Sequence, residues 1–390
     1  MDTMNFYLPE EQLAVQEMVH NFAEKKLKPT VIERDEKGEM DLGLFSEMGK
    51  MGLFGLAYPE EFGGQGKGSY LSYAVAVEEI SKIDASMGIS FSVLVSLYGG
   101  SVMNSPADDE TKKKFLKPVM TGDHFGSFGL TEPTAGSDAA GIRTVAVKDG
   151  DDYILNGTKI FNTNGPFADY TAVYAMLEPE KGAKGLGMFV LQKGMPGFTV
   201  GKVENKMGIR CAQVSEMIMQ DVRVPASNLL AVSGTGFPTA MKALDGGRIG
   251  VAAQGLGIAK GAFEIAKEYL KVREQFGKPL YKNQWLAFKM AEMATEIEMA
   301  QHMLYKAASD KDAHRPYTVP ASMAKMVCTD CAMHVTTECV QMLGGVGYMK
   351  EYHLERMMRD AKITQIYEGT NEIQRLVISN NMFRAPNPKK

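Results

Sequence analysis

Apolar and polar positions divide the chain into three stretches. From residue 5 to about 120, apolar residues recur at helical spacing. Leu71 to Ile83 is the clearest case, with Glu78, Glu79 and Lys82 falling on the other, polar side. Asp108, Asp109 and Glu110 each precede a lysine (Lys112, Lys113 or Lys114) by four residues, the spacing of acid-to-base pairs on a solvated helix face. From about 125 to 230 the period shortens. Tyr153-Ile154-Leu155, Asn156-Gly157 and Ile160-Phe161 predict a hairpin, because Asn-Gly supplies the positive φ of a tight turn. Apolar runs at 170–177, 187–191, 198–203 and 217–224, punctuated by Gly, Pro, Asn and Asp, predict further strands. From about 234 the helical period returns and lasts to the end. It breaks at Gly369-Thr370-Asn371, where Asn371 is placed to N-cap the last helix with Gln374 at its third position. The tail 386–390 is expected to fray. The expectation is an α+β protein in three units: helical 1–124, β 125–233 and helical 234–390.

Composition narrows the function classes. Of 390 residues, 45% are hydrophobic and 23% charged, which excludes a disordered or fibrous chain. Lys and Arg number 43 against 47 Asp and Glu, so no bulk attraction to nucleic acid or an anionic membrane follows. Four cysteines do not make a disulfide framework and point to a reducing compartment. Asp2, Glu10 and Glu11 stand where a secretory leader would need basic and then apolar residues. The apolar stretch 249–266 is interrupted by Gln254, Lys260 and Glu264, too often to span about 20 residues of bilayer. A cytoplasmic or organelle-matrix protein without membrane insertion is expected.

Three motif-like groups carry no chemistry. Gly255, Gly257 and Gly261 imitate a dinucleotide fingerprint, but they lie in a helical pattern with no strand before them, so close helix packing is the better reading. The loop Gly63-Gly64-Gln65-Gly66-Lys67-Gly68 puts Gly68 where a phosphate loop needs Ser or Thr, and reads as a surface turn. Cys328, Cys331 and His334 lack a second paired ligand set, so no metal is expected.

Five segments go further. They are Phe128-Gly-Leu-Thr-Glu-Pro-Thr-Ala-Gly-Ser-Asp138, Leu244-Asp-Gly-Gly-Arg-Ile249, Arg273-Glu-Gln-Phe-Gly277, Gln341-Met-Leu-Gly-Gly-Val-Gly347 and Ile366-Tyr-Glu-Gly-Thr-Asn-Glu-Ile-Gln-Arg375. In identity, order and spacing they resemble the signatures of the acyl-CoA dehydrogenase family, from about Phe6 to Arg384. Within it the chain looks most like the short-chain (butyryl-CoA) members of anaerobic bacteria. The resemblance implies an N-terminal helical domain, a middle β-barrel or sandwich domain and a C-terminal four-helix bundle, assembled as a homotetramer with FAD. The implied reaction takes the α-proton and β-hydride from an acyl-CoA, leaving trans-2-enoyl-CoA, with electrons passed to an electron-transferring flavoprotein. An ordinary glutamate, with a pKa of about 4.3, is a weak base, so burial must raise its basicity.

The resemblance assigns the base to Glu368 and implies that its own N–H, together with a ribityl hydroxyl of FAD, holds the thioester carbonyl. A few relatives carry the base on the helix of Asp245 and Arg248, where this chain has Gly247. Substrate contacts are implied for Ser137, Asp245, Arg248 and Gly369, with Gln254 and Thr364 shortening the acyl pocket that Val93 to Leu97 help to line. Phe128, Leu130, Thr131 and Ser137 are implied to contact FAD, with Phe161 and Thr163 on the opposite face of its ring system. Arg273, Phe276, Gln284, Gln341 and Gly345 are implied to hold its adenine–pyrophosphate part across a subunit boundary, and Thr370 and Glu372 to cap the pyrophosphate. Three positions depart from the commonest pattern: Phe161 replaces a usual Trp, Asn162 a usual aliphatic residue beside the flavin layer, and Glu372 a frequent Gln. The alternatives are an enoyl-CoA reductase of the same architecture in a flavoprotein complex, an oxygen-using oxidase, and a catalytically silent scaffold.

Overall fold

The computed structural model describes residues 7–383, so the chain ends, including Asp2 and the expected fraying of 386–390, lie outside the described residues. The N-terminal helices are α1 Glu10–Phe22, α2 Val31–Lys37, α3 Leu42–Lys50, α4 Tyr70–Ser81, α5 Ala85–Ser92, α6 Gly100–Asn104 and α7 Asp109–Met120. Their starts follow from side-chain caps: Asp41, Ser69, Asp84 and Asp108 accept from main-chain N–H groups in the first turns of α3, α4, α5 and α7. α5 and α6 join through a π-helical segment, Val93–Gly99. The span Ala85–Asn104 is long and apolar enough by composition to cross a bilayer, but 94% of that window is buried inside the protein.

Helix α4 is buried on every side, Glu78 and Glu79 included, although their spacing sets them opposite its apolar residues. Glu78 accepts from Lys260 and, at 3.0 Å, from Tyr305; Glu79 accepts from Gln16 at 2.9 Å and pairs with Lys82 at 3.4 Å. Helix packing surrounds both acids, so partner side chains replace their hydration. On α7 the acid–base spacing is corrected: Asp108 is consumed as the cap, and the ion pair that forms is Lys113–Glu110 at 3.3 Å, three residues apart.

The middle of the chain forms β1 Gly126–Gly129, β2 Val145–Asp149, β3 Asp152–Thr163, β4 Tyr170–Met176, β5 Leu186–Gln192, β6 Phe198–Val203, β7 Val214–Pro225 and β8 Leu229–Ala231. They make one mixed sheet in the order β6-β7-β3-β2-β4-β5-β8, with β1 parallel to β4. The predicted hairpin at Asn156-Gly157 is not a turn. β3 runs straight through it, with a register shift against β7 between Leu155 and Gly157, while Asn156 Nδ2 donates to Asp221 on β7 at 2.9 Å. A Cβ on Gly157 would lie 2.4 Å from Thr144 Oγ1, so the glycine serves a close strand approach. The hairpin turns earlier, at Gly150-Asp151, between the paired Asp149 and Asp152.

The C-terminal part holds α8 Gly236–Val272, a small hairpin of β9 Glu274–Gln275 and β10 Lys278–Pro279, then α9 Gln284–Asp312, α10 Thr318–Leu343, α11 Leu354–Thr364 and α12 Asn371–Met382. Helices α8 to α11 pack as a bundle and α12 lies on α10. The glycines of α8 act as expected: a Cβ on Gly257 would lie 2.3 Å from the Glu78 carbonyl, one on Gly261 2.3 Å from that of Lys82, and one on Gly255 3.1 Å from that of Cys328. Cys328 itself is a buried thiol donating to the Ala300 carbonyl at 3.4 Å, and His334 pairs with Glu296.

Candidate active site

The segment between α11 and α12 is short and strained. Glu368 has φ 53° and Gly369 φ 91°, two successive left-handed residues, of which only the second is a glycine. Holding a glutamate there costs roughly 1–2 kcal/mol. The turn is fixed from outside: the Gly369 carbonyl accepts from Lys325 Nζ at 2.9 Å and from Gln374 Nε2 at 2.8 Å. The cap of α12 is Thr370, whose Oγ1 accepts from Ile373 N at 3.3 Å, and not Asn371 as the spacing suggested. Asn371 instead turns inward, where Oδ1 accepts from Lys325 at 2.9 Å and Nδ2 donates to Thr329 and Asp330.

This geometry aims Glu368 into the protein. Both carboxylate oxygens are buried, and neither has a hydrogen-bond partner among the described residues. Orphaned buried polar atoms call for an explanation, and two on one carboxylate fit a group kept for a ligand. Burial pushes the carboxyl up to about 8, against the pull of Lys325 and then Arg248. The oxygens lie against bare backbone on α8, since a Cβ on Gly247 would be 1.9 Å from Oε2 and 2.8 Å from Leu97 Cδ2. A dry, basic carboxylate beside a helix glycine can accept a proton from a ligand carbon placed against it.

Several expected residues converge here. Next to Gly247 in the chain, Arg248 is buried and donates to Asp245 Oδ1 at 2.7 Å, while Asp245 Oδ2 accepts from Thr318 at 2.6 Å. Burial raises the Asp245 carboxyl and Arg248 pulls it down. Arg248 Nε has no partner among the described residues, so the pair keeps one donor in reserve. Gln254 donates to the Ala85 carbonyl at 2.9 Å and accepts from Tyr367, the neighbour of Glu368. Thr364 is buried with its hydroxyl bonded to the Ala361 carbonyl. Val93 and Leu97 of the π-helical segment are buried, and Leu97 borders the same space at Gly247 as the Glu368 carboxylate.

The second group lies on the β-sheet. Ile160 N donates to the Thr131 carbonyl at 2.9 Å, which sets Leu130 and Thr131 beside Phe161. Phe161 has φ 58° and is 61% exposed, and Thr163 is buried with its carbonyl accepting from Ser127. Phe128 packs its ring 5.5 Å from that of Tyr174. Ser137 stands in an exposed turn, where a Cβ on Gly136 would meet nothing within 4 Å. An exposed aromatic on an apolar rim fits the face of a planar ring system, and an open Gly-Ser turn fits a phosphate. Asn162 Nδ2 donates to the Ser215 carbonyl at 2.8 Å, while its Oδ1 has no partner among the described residues and lies toward Gly129, 3.3 Å from where a Cβ there would sit. Glu372 is exposed, its carboxyl held low by main-chain hydrogen bonding at the start of α12.

The third group stays apart. Arg273, Phe276, Gln284, Gln341 and Gly345 are all exposed, on the small hairpin, the first residue of α9 and the end of α10. Phe276 is 97% exposed at the hairpin tip. Two features were not anticipated. Lys325 braces the Glu368 turn, and the buried Lys159 braces the Phe128–Thr131 segment by donating to the Leu130 carbonyl at 3.2 Å and to Glu132 at 2.6 Å. The signal for Lys325 was there: it falls four residues after Ala321 and three before Cys328, on the apolar stripe of its helix.

Family models describing the N-terminal, middle and C-terminal domains of acyl-CoA dehydrogenases match residues 9–123, 127–222 and 234–383. The chain is 49% identical to a short-chain-specific acyl-CoA dehydrogenase of Clostridium acetobutylicum, over 98% of this chain and all of the relative. Among solved structures, butyryl-CoA dehydrogenase of Megasphaera elsdenii superposes with a TM-score of 0.96 at 50% identity, covering 98% of this chain and 100% of the other. A chain from a structure of the electron-transferring flavoprotein of Acidaminococcus fermentans, described in terms of flavin-based electron bifurcation, matches equally well, with the same score, identity and coverage.

Proposed function

The chain belongs to the acyl-CoA dehydrogenase family, and from that premise we propose a FAD-dependent short-chain acyl-CoA dehydrogenase that passes electrons to an electron-transferring flavoprotein. The observation that carries the reading is the Glu368 carboxylate, buried, unpartnered and pushed up to about 8. Glu368 takes the α-proton of the acyl-CoA. Its own main-chain N–H, in the left-handed turn, holds the thioester carbonyl on which negative charge develops. FAD, when bound, supplies the acceptor for the β-hydride. Leu130, Thr131, Phe161 and Thr163, with Phe128, would hold its ring system, and Ser137, Thr370 and Glu372 would contact its phosphate part.

Asp245 and Arg248 orient the CoA arm. Gln254, joined to Tyr367, and Thr364 close the acyl pocket after a short chain. In reverse, the same groups reduce an enoyl-CoA, with Glu368 returning the proton. The three units 1–124, 125–233 and 234–390 follow the α–β–α order. Phe276, Trp285 and Phe288, exposed on the hairpin and α9, are assigned to subunit contacts in a homotetramer, where Arg273, Phe276, Gln284, Gln341 and Gly345 reach a neighbour's FAD.

The test is the visible spectrum of the purified protein, taken anaerobically before and after butyryl-CoA. The expected result is a flavin band that bleaches on addition. A bound flavin that no acyl-CoA or enoyl-CoA perturbs overturns the reading.

A further inference from the structure

Lys325 is buried in α10, and the groups that accept from it, the Gly369 carbonyl and Asn371 Oδ1, carry no charge. A buried ammonium without a countercharge is costly. Burial pushes the Lys325 ammonium down to about 7, and Glu368 is the largest influence opposing that. We propose that Lys325 is a positioning residue for the base: it fixes the Glu368–Gly369 turn through the Gly369 carbonyl and Asn371, and its positive charge behind that turn favours the carboxylate over the carboxylic acid. The inference rests on Glu368 being the base.

The groups around the pair come from four elements. Arg248 on α8 also faces Glu368, but its charge is shared with Asp245. Tyr73 on α4 feels Glu368 and stays neutral, its hydroxyl pushed far up by burial. Lys325 faces Asp330 on its own helix and Glu372 on α12 as well, and both help to keep it charged. Of the two cations acting on the carboxyl, Lys325 acts more strongly. Removing it therefore moves the carboxyl upward and shrinks the basic fraction near neutral pH.

The FAD-loaded enzyme and its Lys325→Met, Lys325→Gln and Lys325→Arg variants are compared in two ways. Infrared difference spectroscopy, with Glu368→Gln as the blank, follows titration of the Glu368 carboxyl without turnover. Anaerobic flavin reduction by butyryl-CoA is timed from about pH 6 to about pH 10. In the two neutral variants the carboxyl midpoint should rise by about one pH unit, with roughly tenfold slower reduction near neutrality. The deficit should vanish at high pH, and affinity for the ester should stay within about twofold. Lys325→Arg should restore most of the midpoint. An unmoved midpoint, a rate loss equal at every pH, or loss of FAD in both neutral variants overturns the proposal. Should no acyl-CoA ester reduce the parent's flavin while the infrared midpoint shifts as stated, the assignment of the reaction fails and the Lys325–Glu368 link stands.

Discussion

At the scale of single residues, Glu368 trades stability for chemistry. Its carboxyl titrates near 4.5 in an unfolded chain and at about 8 in the folded one. Between those values the folded protein binds more protons than the unfolded chain, so this residue makes stability fall as pH rises, and below about 4.5 it has no effect. Glu368→Gln should therefore melt above the parent at pH near 8 and alongside it at the acid end, measured by calorimetry at matched FAD saturation. The same variant should keep FAD and lose flavin reduction by orders of magnitude. Near-normal reduction would show that the base is elsewhere. In the parent, reduction should climb with pH through about 8, because the base acts deprotonated. From sequence, this residue is one glutamate ahead of a helix. Only the surrounding Tyr367, Gly369 and Thr370 single it out, since no pattern of residue types shows which carboxylate loses its water.

At the scale of elements, close helix packing does what a longer side chain would prevent. A Cβ on Gly257 would lie 2.3 Å from the Glu78 carbonyl, backbone that cannot swing aside. Gly257→Ala should cost about 1–3 kcal/mol, read as a lower denaturation midpoint with an unchanged flavin spectrum. The order of helices and strands was legible because periods of 3.6 and 2 survive in the sequence, and the runs that became β4 to β7 were plain. What was hidden depends on partners distant in the chain. Glu78 meets Lys260 and Tyr305, about 180 and 230 residues away along the chain, so a helix with acids on one side is nonetheless buried all round. Asn156-Gly157 has the composition of a turn, yet Asn156 bonds across to Asp221 and the strand continues. Local rules see the turn residues and cannot see the strand beside them.

At the scale of the whole molecule, the exposed aromatics gather where the small hairpin meets α9. Phe276, with φ 56° and 97% of its surface open, has no reason to be apolar in an isolated subunit. Sedimentation of the parent should give about four times the 42.7 kDa chain mass. Phe276→Ser should retain less FAD on dilution, at an unchanged Glu368-dependent rate in the molecules that keep it. Equal FAD retention in parent and variant at every dilution would remove Phe276 from the cofactor and assembly surface. Residues 341–347 and 273–277 were legible as motifs, and their proposed contact with another copy came from the resemblance, because residue types alone carry no sign of a partner subunit.

The bare backbone at Gly247 also couples two positions far apart in the chain. A side chain at 247 would enter the space of the Glu368 carboxylate, the movable end of a flexible side chain, and would have to push it aside. Substitutions at 247 and 368 therefore act on one space, and the effect of either depends on what stands at the other.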